Sequence, residues 1–166
     1  MRILEIEADN FKLFTTKFEA IKGLDEADVV LLNGPNGYGK TSVFDILEFC
    51  LTGEIGRINK YTEELAIGKN ETGENRILIA DETKPAYVKL VLEESGKKIE
   101  IRYYCPPQSG KKKASRENNP HNIFQCFTRH IYCDSKEIQN QEDFLRKLQL
   151  NDIGEWFDKC CFLSQD

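Results

Sequence analysis

Leu31-Leu32-Asn33-Gly34-Pro35-Asn36-Gly37-Tyr38-Gly39-Lys40-Thr41-Ser42 satisfies the spacing G-x-x-x-x-G-K-[ST], with Gly34, Gly39, Lys40 and Thr41 in the defining places. Upstream, Asp28-Val29-Val30-Leu31-Leu32 is a short apolar run that predicts a strand buried on both faces. Downstream, Val43, Phe44, Leu47, Cys50 and Leu51 recur at helical spacing, and Gly53 stands where such a helix would stop. Strand, glycine loop and helix thus follow in the order that a phosphate-binding loop requires. Glycines let the backbone bend tightly enough for successive N–H groups, here from Asn36 to Ser42, to point at a polyphosphate. The helix beginning near Lys40 adds the positive end of its dipole. Lys40 can reach the terminal phosphates as a point charge, and the Thr41 hydroxyl can ligate Mg²⁺. The loop therefore predicts binding of ATP with Mg²⁺.

The remaining composition narrows the setting. At 166 residues the chain is one domain or one lobe of a larger one, long enough for a real core. A net charge of −5 gives no global argument for nucleic acid, so any such contact must be a local patch. No apolar run approaches a membrane span, and Met1-Arg2-Ile3-Leu4-Glu5 enters a strand-like alternation at once, which reads as cytoplasmic. The six cysteines (50, 105, 126, 133, 160 and 161) include no C-x-x-C pair and read as buried thiols. Cys126, His130 and Cys133 are the nearest approach to a zinc set, and they lack an evident fourth ligand.

Along the chain, Leu4, Ile6 and Ala8 alternate with Glu5 and Glu7 as a half-exposed first strand, and a second short strand is expected around 17–21. Residues 54–74 are polar and punctuated by glycine, a surface excursion with a short helix over 61–67. A hairpin follows: Val88, Leu90 and Leu92, a turn at Glu94-Ser95-Gly96-Lys97, then Ile99, Ile101 and Tyr103. Pro106 to Lys113 forms a basic loop, 124–133 another strand, and 142–148 and 153–157 helices. Ile77-Leu78-Ile79-Ala80-Asp81-Glu82 has the form of a Walker B strand, in which Asp81 would help hold Mg²⁺ and Glu82 would polarise the attacking water. A plain strand end beside the hairpin is the competing reading of that run.

Asn10-Phe11-Lys12, the loop from Asn33 to Ser42, and Phe49-Cys50-Leu51-Thr52-Gly53 together resemble the N-terminal head segment of SMC-like ABC ATPases, a group that includes SMC proteins, SbcC, RecF and RecN. The hairpin resembles the antiparallel subdomain of those heads, and Phe162-Leu163-Ser164-Gln165-Asp166 resembles their Q-loop. The resemblance implies an α/β P-loop NTPase fold: the N-terminal lobe of an ABC-type head over 1–166, with a mixed sheet around the P-loop helix and an antiparallel β subdomain. It implies that Gln165 contacts Mg²⁺ and the attacking water, and that Lys12 lies near the nucleotide phosphates. It places Arg57 where SMC heads carry an arginine that reaches nucleotide or DNA. In the family a coiled coil follows this lobe, and a C-terminal lobe returns with the signature motif and the Walker B carboxylates. Two heads then enclose two ATP molecules, and hydrolysis drives DNA-linked rearrangements, in some members beside a nuclease or accessory subunit.

Because the sequence stops at Gln165-Asp166, a lobe that binds nucleotide weakly and hydrolyses little alone is expected. In that family the Walker B element follows the Q-loop, so Asp81-Glu82 comes in the wrong order for it. Lys111, Lys112 and Lys113 are candidates for DNA-backbone contact. Tyr38 replaces a residue commonly small, pointing to an outlying branch such as the SMC-like ATPases of bacterial antiphage systems or the overcoming-lysogenization-type nucleases. A self-contained P-loop kinase using Asp81 and Glu82 is the alternative function.

Overall fold

The structure is a computed structural model that describes residues 1–12, 14, 18–27, 29–60, 78–109 and 124–148. Its frame is a six-stranded antiparallel sheet, β1 (Arg2–Asp9), β2 (Phe18–Lys22), β3 (Ala86–Glu94), β4 (Lys97–Cys105), β5 (Thr128–Cys133) and β6 (Lys136–Glu137), in the spatial order β2-β1-β3-β4-β5-β6. The hairpin is the one expected. Nine consecutive pairs run from Ala86↔Cys105 to Glu94↔Lys97, closed by Ser95 and Gly96 with φ of 52° and 73°. Two consecutive left-handed residues give the turn a twist that matches the strands it joins.

Period-two alternation assigns the two faces. Ile6, Ala8, Val88, Leu90, Leu92, Ile99, Ile101 and Ile131 form the buried inner face. The helix α1 (Lys40–Thr52) packs on that face, and α2 (Gln141–Lys147) adds Leu145 to the same core. Phe49 is the centre of the packing. Its ring lies 4.4 Å from Tyr103, 5.2 Å from Phe127, 5.5 Å from Phe124 and 6.0 Å from Phe11. Aromatic pairs at these separations add to the area that they bury. α1 ends as expected at Gly53, left-handed at φ 86°, whose N–H bonds the Phe49 carbonyl at 2.9 Å.

Three expectations are corrected. Residues 29–32 form no strand: Val29 and Leu31 are 83% and 85% exposed, and none of the described residues pairs with them. The apolar run encodes a tendency to be covered, but a strand exists only when a neighbour closes its ladder. The antiparallel β subdomain is as expected, with all pairs among the described strands antiparallel. The buried face of α1 is carried by Val43, Ile46, Phe49 and Cys50, while Phe44 is exposed. Finally, β5 begins at Thr128, because residues 124–127 turn so that Phe124 and Phe127 reach Phe49. The short helix expected over 61–67, the helix over 153–157 and the tail lie outside the described residues.

Burial pushes the Tyr103 hydroxyl from 10.0 up to about 12. The folded chain therefore keeps this proton between pH 10 and 12, where the unfolded chain loses it. Stability is unaffected below pH 10 and falls through that window by roughly 2–3 kcal/mol from this group. Urea titrations at pH 9 and pH 11.5 should show a smaller loss for Tyr103→Phe than for the parent chain.

Candidate functional site

The phosphate loop reaches α1 through Gly37 and Gly39, at φ 84° and 86°. An added Cβ at Gly39 would lie 3.2 Å from Cε1 of Phe14, whereas Gly34 and Gly37 face open space. Gly39 is thus wedged against the turn over 11–14, and the loop's concave side stays clear of side chains. Gly39 caps α1 without a side-chain hydrogen bond, and the first turn carries no acidic residue. The N–H groups at this end are left for an external anion. Thr41 is exposed on that turn, and Ser42 is buried beneath it. Lys40 folds back so that its ammonium donates to the carbonyls of Gly34 and of Pro35, the latter at 2.8 Å. Asn36 and Tyr38 are exposed on the loop. Lys40, Thr41 and this N-terminus fit a magnesium–triphosphate group: a cation, a hydroxyl ligand and free amide donors stand within one turn.

Below the loop lies a charge cluster that the sequence did not disclose. Asp45 is fully buried on α1 and accepts from two cations. Lys12, 12% exposed, contributes its ammonium. Arg57, 41% exposed, closes a fork with Nε 2.7 Å from Oδ1 and its terminal nitrogen on Oδ2. Burial lowers the Lys12 pKa, against the opposing pull of Asp45, with Arg57 adding to the lowering. The Asp45 hydrogen bond raises that of Arg57. Next to them, Glu48 accepts from the Gly56 N–H at 2.6 Å, which fixes the start of the helical segment over 56–60 that bears Arg57. Lys12 is therefore a paired residue of the turn whose Phe14 touches Gly39, and Arg57 is an anchored one. The detectable signal was a pair of carboxylates, Asp45 and Glu48, on an otherwise apolar helix face.

Asn10 shows why its segment is shaped as it is. At φ 51° and buried, its amide donates to the carbonyls of Asp81 (2.7 Å), Lys84 and Pro85 (both 3.2 Å), and its oxygen accepts from the Asp81 N–H at 2.7 Å. This staple ties 81–85 to the end of β1. Leu78–Ala80 form no strand beyond an isolated bridge, Phe11↔Ile79. Oδ1 of Asp81 accepts from the Thr83 N–H at 2.9 Å and its hydroxyl at 2.6 Å, bonds that hold the carboxyl down to about 2. Asp81 works here as a turn carboxylate. Gln165, Asp166 and Lys111–Lys113 lie outside the described residues. His130 bonds Glu137 at 2.9 Å, and no cluster among the described residues could hold a metal ion, so Cys126, His130 and Cys133 do not gather as a zinc set.

Comparison with known families settles the class. A profile described as an AAA domain matches residues 5–162. The chain belongs to the AAA domain family. Within solved structures, one from work on ATP-driven dimerization and DNA-stimulated activation of SMC ATPases aligns at 16% identity with a TM-score of 0.53, over 91% of this chain and 80% of that one. No curated protein matches significantly. This AAA domain thus has the fold of an SMC-like ATPase head, a P-loop NTPase fold, in agreement with the resemblance carried by its loop and hairpin.

The cluster makes a graded prediction. Asp45→Asn strands two cations in a buried place and should cost about 3–5 kcal/mol in urea unfolding. Arg57→Ala, removing a half-exposed partner, should cost about 1 kcal/mol. Equal effects would mean that Asp45 is not the hub.

Proposed function

We propose that the chain is the ATP-binding lobe of an SMC-like ATPase, which pairs with a second head on ATP and acts on DNA in repair, chromosome maintenance or antiphage defence. The observation that carries this reading is the uncapped N-terminus of α1, with Gly37 and Gly39 left-handed and Lys40 and Thr41 beside it. Lys40 and the amides of 36–42 would hold the phosphates, Thr41 and Gln165 would ligate Mg²⁺, and Lys12 and Arg57 would act from the charge cluster next to the loop. The metal supplies charge neutralisation on the phosphate oxygens during transfer.

Hydrolysis requires groups beyond these. The exposed apolar residues Val29, Val30 and Leu31 support a second, C-terminal lobe as partner, since they offer strand-forming residues at the entry to the loop. A nuclease or accessory subunit, a coiled coil and a cytoplasmic setting complete the proposal by analogy with the family. The competing reading, a self-contained kinase, has less support because Asp81 is spent on its own turn.

Nucleotide binding and turnover of the chain alone separate the two. The lobe reading expects ATP binding weakened at least about tenfold by Lys40→Ala, a loss of ~1.4 kcal/mol or more, with negligible turnover. Brisk turnover abolished by Glu82→Gln would establish the self-contained enzyme instead.

A further inference from the structure

The turn over 11–14, between β1 and β2, is fixed from several sides. Phe11 and Phe14 exchange backbone hydrogen bonds at 3.0 and 2.9 Å, and the Phe11 ring is buried against Phe49 and Phe127. Between them Lys12 holds φ 54°, a left-handed conformation that a long side chain rarely adopts. Two bonds keep it there: its N–H donates to the Leu78 carbonyl at 3.0 Å, and its ammonium donates to buried Asp45 on α1. A backbone held in an unfavourable conformation persists only where its surroundings over-determine it, and such places cluster at ligand clamps.

The other end of the turn meets the phosphate loop. Phe14, half-buried and packed on the core, sets Cε1 and Cζ 3.2 and 3.3 Å from where a Cβ of Gly39 would lie. Gly39 joins the loop to α1 at φ 86°, and its carbonyl accepts the Val43 N–H at 3.1 Å, the first bond of the helix. The turn thus grips this junction twice, through Phe14 at Gly39 and through Lys12 at Asp45. A left-handed glycine has wide conformational freedom and no side chain by which a fold could hold it. Contact of a ring with its backbone supplies that hold. The φ and ψ of Gly39 in turn decide where the amides of Lys40, Thr41 and Ser42 point.

We propose that Phe14 is a positioning residue of the phosphate site, its ring fixing Gly39 and so pre-organising the amides that meet the nucleotide. The consequence for binding rests on the ATP-binding reading above, whereas the constraint on Gly39 exists with no nucleotide bound. Pre-organisation raises affinity by removing an ordering cost from the binding step.

Two readouts test it. In the free chain, hydrogen exchange at the Val43 amide should be about tenfold faster in Phe14→Ala, with β3 and β4 unchanged. Phe14→Met, which keeps most of the reach and bulk of the side chain, should restore most of the protection. By calorimetry, Phe14→Ala should weaken Mg·ATP and magnesium tripolyphosphate alike, each about tenfold, because the loss lies in the phosphate cradle. Weakening confined to ATP would make the ring a contact of the base and overturn the positioning role. Exchange at Val43 unchanged, or equally faster in β3 and β4, would overturn it as well. Absence of binding by the parent chain would sink the ATP-binding reading alone, since the exchange comparison is made without nucleotide and still decides for or against Phe14.

Discussion

The position of the phosphate loop depends on one packing contact, the insertion of Phe49 among Phe11, Tyr103, Phe124 and Phe127. α1 is short, so a single well-filled aromatic contact near its C-terminal half fixes where its N-terminus stands. A helix of this length is marginal by itself and takes its stability from the face it buries. Phe49 thereby determines, three turns away, where the amides that follow Gly39 are presented. Because Phe11 belongs to the same cluster, the turn over 11–14 is set by that contact too, and its Phe14 closes on Gly39.

The charge cluster completes this arrangement with a different kind of force. Apolar packing fixes distance but tolerates rotation, whereas a buried carboxylate shared by two cations has few acceptable geometries. Asp45 joins Lys12 from the turn after β1 to Arg57 from the segment after α1, and Glu48 pins that segment through Gly56. Three stretches distant in sequence are thereby locked around the loop. The cost of burying the charges is met by their mutual pairing, which is why removing the shared partner is expected to hurt more than removing one of the pair.

Local signals were legible, and those needing a distant neighbour were not. The loop, the start of α1, its stop at Gly53 and the Ser95-Gly96 hairpin are written in residues close together, through backbone conformation and period. The run over 28–32 carried an apolar signal, but no described residue closes a ladder with 29–32, so it failed as a strand there. Phe44 shares the helical spacing yet is exposed, because spacing alone does not say which of two adjacent apolar residues faces the sheet. Asp81-Glu82 follows an apolar run, and the bonds that shape this segment, the Asn10 staple and the Thr83 turn, come from residues that the run itself does not announce. Lys12, Asp45 and Arg57 are ordinary charged residues until the fold brings them together.

Hydrogen exchange at the backbone amides, with and without Mg·ATP, examines the central claim most directly. Binding in the glycine loop predicts slowed exchange from Gly37 through Ser42, where the amides would bond phosphate, with β3 and β4 unchanged. Protection absent from that loop, or confined to the opposite face of the sheet, would contradict it.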